Sequence, residues 1–397
     1  MLFSGTWTGH QLAGSLKDGA LTVMIDNIES LTCDRAGRLW SRWVGGHTFR
    51  RGLDGRVLEK WSEGGARQRH WLSPRQAAPL IDESAARMRE LGAALIAGQI
   101  DWTIAPDDDA LPGLVERAAR FDARAAALDG ERFAQVYDPI GILPPDQYLA
   151  LILQATVGCS FNTCTFCNFY VGQRFRIKTP HQFREHARAV RAFMGDSLTM
   201  RRSIFLGEAN ALAIPFGRLA NLLAIAREEF GAHPVYAFLD AFSGTKKSID
   251  EYCQLAALGL KRVSIGLESG HDPLLAFVRK PGAARDAIDT VRALKSAGIA
   301  VSLIVLIGLG GDRYAAGHIA DTIAALNAMP LDKRDIVYFS NLIEHDDTRY
   351  PALARAAGIR PSSAEEMSAQ RQAIRAGLRF ESGGPIISKY DIREFVY

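Results

Sequence analysis

Gly158-Cys159-Ser160-Phe161-Asn162-Thr163-Cys164-Thr165-Phe166-Cys167 places three of the chain's five cysteines within nine residues, spaced C-x4-C-x2-C. The apolar run before it, Leu149 to Val157, reads as a buried strand that ends at a turn. Three thiolates converging from a loop after a strand suit a soft-metal site. Zinc sites usually take four ligands, often as two spaced pairs, and the sequence has no second pair. Three cysteines match a [4Fe–4S] cluster with one iron left without a protein ligand, an open position for a substrate or cofactor. A zinc knuckle or three structural thiols is the plainer alternative.

This loop resembles the cluster loop of radical S-adenosylmethionine (SAM) enzymes, whose usual spacing is C-x3-C-x2-C; here the first gap is one residue longer. The resemblance implies that Cys159, Cys164 and Cys167 hold the [4Fe–4S] cluster and that SAM is the second cofactor. It also implies that Phe166, the aromatic residue before the last cysteine, packs on the adenine of SAM.

The chain has 397 residues, enough for two or three domains, with 48% hydrophobic and 23% charged residues. A net charge of +3 is too mild to imply a nucleic-acid or membrane partner. No apolar run approaches the roughly 18 residues of a membrane-spanning helix, and Met1-Leu2-Phe3-Ser4-Gly5-Thr6-Trp7 does not open a signal peptide. Clustered cysteines point to a reducing compartment, so a cytoplasmic protein is expected. Cys33 and Cys253 stand apart and read as ordinary half-buried thiols.

Residues 1–148 read as an N-terminal α+β region. Within residues 1–65, Asp34 to Trp43 and Leu53 to Trp61 each run from an Asp/Gly turn towards tryptophan, as hairpins of one small antiparallel sheet do. Such a sheet could form a lid or dock a substrate, or be a structural appendage. Ser73-Pro74-Arg75-Gln76 carries a helix start that could run to about Gly98, and a further helix is expected over Leu114–Ala134. Pro139, Pro144 and Pro145 mark a stiff linker.

From 149 to 342, strands and helices alternate. Strands are expected at Leu149–Val157, Ser203–Leu206, Val235–Ala241, Arg262–Leu267, Val301–Ile307 and Ile336–Asn341. Helices are expected at Pro180–Met194, Phe216–Phe230, Ser248–Leu258, Ala283–Ala297 and Ala315–Ala328. This α/β pattern means a parallel sheet, either doubly wound or curled into a part-barrel, with ligands beyond the carboxyl ends of the strands. The radical SAM resemblance implies the second, a partial (β/α)6 TIM-like barrel. Residues 343–397 form a C-terminal extension whose apolar, aromatic tail should dock on the core, with Tyr390 and Tyr397 as possible substrate contacts.

Further segments extend the resemblance. Gly207-Glu208 matches part of the family's Gly-Gly-Glu motif for the amino group of SAM, with Leu206 in place of the first glycine. Ile265-Gly266-Leu267-Glu268-Ser269-Gly270 resembles the Gly-Leu-Glu-Ser-Gly segment of the branch with coproporphyrinogen dehydrogenases and tRNA methylthiotransferases. It implies Glu268 and Ser269 at the ribose and methionine ends of SAM. Arg279 or Lys280 could reach the SAM carboxylate. Ile307-Gly308-Leu309-Gly310-Gly311 resembles the loop passing under adenine, with Gly308 its site residue, and it is not a P-loop.

The implied function is reductive cleavage of SAM to a 5′-deoxyadenosyl radical that takes hydrogen from a small-molecule substrate, with an electron donor such as flavodoxin or ferredoxin. Asp240, Phe242, Tyr338 and Asn341 are candidate substrate-side residues, and no acid or base stands out. Glu344-His345-Asp346-Asp347 could bind a metal or shuttle a proton, or be a polar loop. No further cysteine group for an auxiliary cluster, no cobalamin motif and no basic barrel for RNA is present in the sequence. Two rival classes are a haem- or cluster-carrying chaperone without turnover, and a modifier of a peptide or RNA.

Overall fold

The computed structural model describes residues 1–380 and 383–397. They form two compact units, one of residues 1–139, 188–202 and 396–397, the other of residues 140–187 and 203–395. The units cut across the segments read from the sequence, since residues 188–202 and the last two residues belong with the N-terminal part.

In the first unit, eight strands from Leu2–Trp7 to Ala66–Leu72 follow one another as an antiparallel meander, and a ninth, Ile100–Ile104, pairs with the first. The sheet is therefore larger than the hairpins expected within residues 1–65. Gly45-Gly46 and Gly64-Gly65 have positive φ at both residues, 59° and 79° in one turn and 56° and 77° in the other. Two-residue hairpins need this conformation for their twist to match the strands. Alternate residues Leu21, Val23, Ile25, Leu31 and Cys33 share one core with Ala77, Ile81, Met88 and Leu91 of the helix Pro74–Ile96. Each such buried aliphatic side chain contributes about 2 kcal/mol relative to exposure. The single helix expected over Leu114–Ala134 is two, Leu111–Ala119 and Ala123–Val136. Asp122 breaks the run, because its carboxylate accepts from the Ala125 amide at 2.8 Å and so starts a new helix.

In the second unit, seven parallel strands lie side by side in chain order: Leu151–Gln154, Ile204–Gly207, Val235–Leu239, Leu260–Glu268, Ala300–Ile307, Ile336–Asn341 and Ile386–Lys389. The strands are near-continuous apolar runs, as a sheet covered on both faces requires. Helices Pro180–Met194, Phe216–Phe230, Ile249–Ala257, Ala284–Ser296, Gly311–Asn327 and Ala364–Gly377 connect them. The strictly sequential order is consistent with a part-barrel, because right-handed crossovers between successive neighbours place their helices on one face, whereas a doubly wound sheet reverses its strand order. The seventh strand comes from the C-terminal extension, where Ile386-Ile387-Ser388-Lys389 is too short to stand out as a strand in the sequence.

The expected strand Leu149–Val157 is divided. Leu151–Gln154 joins the sheet, while Thr156–Val157 pairs antiparallel with Arg176–Ile177. This small ribbon closes the base of the loop that carries Cys159, Cys164 and Cys167. Among the described residues, no helix is long and apolar enough to cross a membrane.

Candidate functional site

An open cavity of about 220 Å³ lies at the carboxyl ends of the parallel strands, and Cys159, Cys164 and Cys167 all line it. The cysteine loop is held in place by backbone bonds: Thr165 N donates to Val278 O at 3.0 Å, and Tyr350 N donates to Thr165 O at 2.9 Å. Arg349 Nη2 donates to Thr163 O at 2.7 Å, and Asn162 Nδ2 to Tyr170 O at 2.8 Å. A loop pinned at so many points presents its thiols in a fixed arrangement without a secondary-structure ladder.

Burial pushes the Cys167 thiol up to about 12, and the charges of Cys164 and Cys159 add to the rise. Burial likewise raises Cys164. A bound metal would overcome this rise by taking the thiols as thiolates. Among the described residues, no three His, Cys, Asp or Glu side chains are grouped to hold a single metal ion. A cubane binds each thiolate at a different iron, so its three sulfurs need not meet at one point. The donor set, three thiols on one wall with open cavity beyond, fits a [4Fe–4S] cluster bound at three corners.

The other polar groups come from the strand ends. Glu268 closes the fourth strand after a register shift between Gly266 and Glu268, a bulge that re-aims the side chain. Its φ is +58°, the left-handed region that costs a side-chain-bearing residue about 1 kcal/mol. Lys280 Nζ donates to Glu268 Oε1 at 3.1 Å, and both side chains line the cavity. Burial works against the Lys280 charge, but Glu268 and Cys164 outweigh it and raise its pKa. A Cβ on Gly266 would come within 2.4 Å of Glu268 Oε1 and 3.0 Å of Lys280 Nζ, so only glycine leaves room for this pair.

Asp240, just past the third strand, caps the short helix Ala241–Gly244 by accepting from Ser243 N at 2.7 Å. Asn210, past the second strand, hydrogen-bonds Asp240 and donates to Ser160 Oγ at 3.1 Å. The cysteine loop and two strand ends thus share one polar node on the cavity wall.

Of the residues singled out from the sequence, Phe166, Asp240, Glu268, Lys280, Asn341, His345 and Tyr390 line the cavity with the three cysteines. Gly207, Glu208, Ser269 and Gly308 do not. The Glu208 carboxylate is buried, with Oε1 accepting from Gln154 Nε2 at 2.9 Å and Oε2 from Tyr170 OH and Gly141 N, each at 3.3 Å. Burial lifts its pKa to about 7. Glu208 therefore holds Tyr170, which does line the cavity, instead of facing it. Ser269 Oγ is turned inward to His318 Nδ1 at 2.6 Å. Gly308 N donates to Gln370 Oε1 at 2.7 Å, against the helix Ala364–Gly377. Tyr338 is turned away as well, its OH donating to Asp146 Oδ1 at 2.8 Å. Phe242 packs edge-on against Phe161, 5.6 Å between ring centres. Arg279 lends only its carbonyl oxygen to Thr163 Oγ1, at 3.3 Å, and Tyr397 belongs with the first unit.

Sequence reasoning passed over Tyr170, Asn168 and Asn210. Asn210 lies two residues beyond Gly207-Glu208, but the polar node that makes it matter joins residues 50 and 30 positions apart. Asn168 Nδ2 donates to both oxygens of Asp347 at 3.2 Å, which ties the cysteine loop to the segment containing His345.

The family model of the Radical SAM superfamily matches residues 153–323. No curated protein matches the chain significantly. Solved structures with a similar path include methylornithine synthase (PylB), at 15% identity and a TM-score of 0.41 over 67% of this chain and 75% of that one. The cobalamin-dependent enzyme OxsB aligns at 17% identity and a TM-score of 0.37 over 58% of this chain and 31% of that one. Coproporphyrinogen III oxidase (HemN) from Escherichia coli aligns at 14% identity and a TM-score of 0.42 over 62% of this chain and 54% of that one. The chain thus spans about a third of OxsB and about half of HemN. The matched segment, the strand order and the three-thiol cavity agree: residues 153–323 carry a radical SAM domain, the domain of enzymes that use a [4Fe–4S] cluster and SAM.

Proposed function

We propose that SAM lies in the cavity between the cysteine loop and the strand ends, and that a small-molecule substrate binds beyond it, near Asn341, His345 and Tyr390. The observation that carries this reading is the shared lining: three thiols, Phe166 and the Lys280–Glu268 pair all face one cavity of about 220 Å³. Cys159, Cys164 and Cys167 would hold a [4Fe–4S] cluster that, together with SAM, would supply the one-electron chemistry needed to take a hydrogen atom from the substrate.

Cys159, Cys164 and Cys167 anchor the cluster. The Phe166 ring offers an apolar face for the adenine. Glu268 accepts from the ribose hydroxyls, a role two carboxylate oxygens suit, and Lys280 both fixes Glu268 and offers a cation to the SAM carboxylate. Tyr170, held by Glu208, and Asn210 complete the wall on the side of the second strand. Ile304, Leu306 and Phe238 keep the space largely apolar, which excludes water from a step that must reach one C–H bond. A reductant is required, and we take it to be a flavodoxin or ferredoxin.

The test is isotope transfer. Reconstituted enzyme, SAM and reductant are incubated with a metabolite extract from cells grown on deuterated medium. Deuterium in the 5′-deoxyadenosine supports hydrogen abstraction from a small molecule. Deuterium that appears only when the macromolecular fraction is added contradicts a small-molecule substrate.

A further inference from the structure

A second, smaller cavity shares Asn341, Ile343 and Tyr390 with the cluster cavity and is otherwise walled by Phe339, Arg371, Lys389, Asp391 and Arg393. Four of its eight lining residues are charged, three of them basic, whereas the neighbouring cavity is mostly apolar. We propose that this annex binds an oxyanion of the substrate, a carboxylate or a phosphate, so that the substrate class is anionic small molecules; this rests on the substrate site described above.

The charge balance points that way. Arg393 is already neutralised, since its Nε and Nη2 grip the two oxygens of Asp391 at 2.9 and 2.8 Å. Among the described residues Arg371 has no carboxylate partner: Nη1 donates to Asn341 Oδ1 at 3.2 Å and Nη2 to Ser368 Oγ at 3.3 Å, both neutral acceptors. A guanidinium carries about five N–H donors, so most of its donor capacity remains for a ligand. Lys389 adds a second positive charge without an ion-pair partner among the described residues. Two uncompensated cations in one concave annex favour an anion, and an arginine fork matches a planar or tetrahedral oxyanion.

Asn341 links the annex to the chemistry. It ends the sixth strand and lines both cavities. Because its Oδ1 accepts from Arg371, its amide is oriented, and the Nδ2 donors are left for an acceptor on the ligand. Tyr390 forms the partition between the cavities, fixed by its OH donating to Leu143 O at 2.7 Å. A substrate with its anionic end on Arg371 and Lys389 would extend past Asn341 into the apolar cavity, which orients the carbon end towards the thiol wall.

The full-length protein is titrated with inorganic phosphate in one series and succinate in another, following the arginine Nε–H resonances by NMR. A saturable shift of the Arg371 signal is expected, with binding about tenfold weaker in Arg371→Gln and in Lys389→Gln, the loss of one charge-assisted contact. Lys389 is exposed, so its substitution leaves the fold intact even if Arg371→Gln does not. Tighter binding in one series identifies the oxyanion as phosphate or carboxylate. Absence of a saturable shift, or a shift that survives both substitutions, overturns the annex. The same samples are assayed for SAM cleavage: cleavage without anion binding removes only the annex, while anion binding without cleavage removes the substrate-site reading and leaves an anion site.

Discussion

Lys280 and Glu268 meet at 3.1 Å on the cavity wall, each side chain little more than a tenth exposed, one from a loop and one from the end of the fourth strand. Removing one partner of such a pair leaves a buried charge alone, which costs more than the pair itself contributes. Glu268→Gln should lower stability by about 3 kcal/mol and weaken SAM binding. The double variant Glu268→Gln, Lys280→Met should recover most of the stability and none of the SAM affinity. Denaturant midpoints and SAM binding, measured on the same proteins, separate the two effects. Recovery of both would mean that the pair serves only the fold.

Glu208 makes the ligand-free protein sensitive to pH. Its folded pKa, about 7, lies above the ordinary carboxylate value of 4.5. Below the ordinary value both states are protonated and the group contributes no slope. As pH rises, the unfolded chain ionises first, so stability falls up to about 7 and then levels off. The fall is on the order of 3 kcal/mol. In Glu208→Gln the urea midpoint should hardly change between about pH 5 and about pH 8, whereas the parent protein should lose stability. A parent protein that gains stability over this interval would contradict the buried carboxyl.

Gly308 belongs to packing and not to the cavity. Its φ is +87°, and an added Cβ would stand 2.8 Å from Met367 Sδ. Gly308→Ala should cost about 2 kcal/mol through backbone strain and overpacking, while iron content and SAM cleavage per folded molecule stay at parent levels. A variant of unchanged stability that has lost SAM binding would return Gly308 to the ligand site.

The features legible in the sequence were the local ones. The helices Pro180–Met194 and Phe216–Phe230 run between the residues their periodicity and flanking turns indicate. Ser363 and Glu366 form a capping box at the start of the helix Ala364–Gly377, a pattern that four neighbouring residues display by themselves. The three cysteines announce their convergence because they lie on one short loop. Long-range relationships were hidden. Asn341 gains its meaning from Arg371, and Asn168 from Asp347 across 179 residues. The side chain of Glu208 turns away from the cavity because Gln154 and Tyr170 claim both its oxygens, and no motif records that. The strand Ile386–Lys389 forms because a sheet edge is available to it, a tertiary cause that four residues cannot display.

The central claim is a cluster held by Cys159, Cys164 and Cys167 that cleaves SAM. Protein reconstituted with iron and sulfide under anaerobic conditions is analysed for metal, then incubated with SAM and a strong reductant, and 5′-deoxyadenosine and methionine are quantified. The account predicts iron and sulfide in a cubane ratio with release of both products. It also predicts loss of cluster and products in Cys159→Ala, Cys164→Ala and Cys167→Ala, and retention of both in Cys253→Ser, whose thiol is exposed and apart from the site. Zinc in place of iron, or a full cluster that leaves SAM intact, would contradict it.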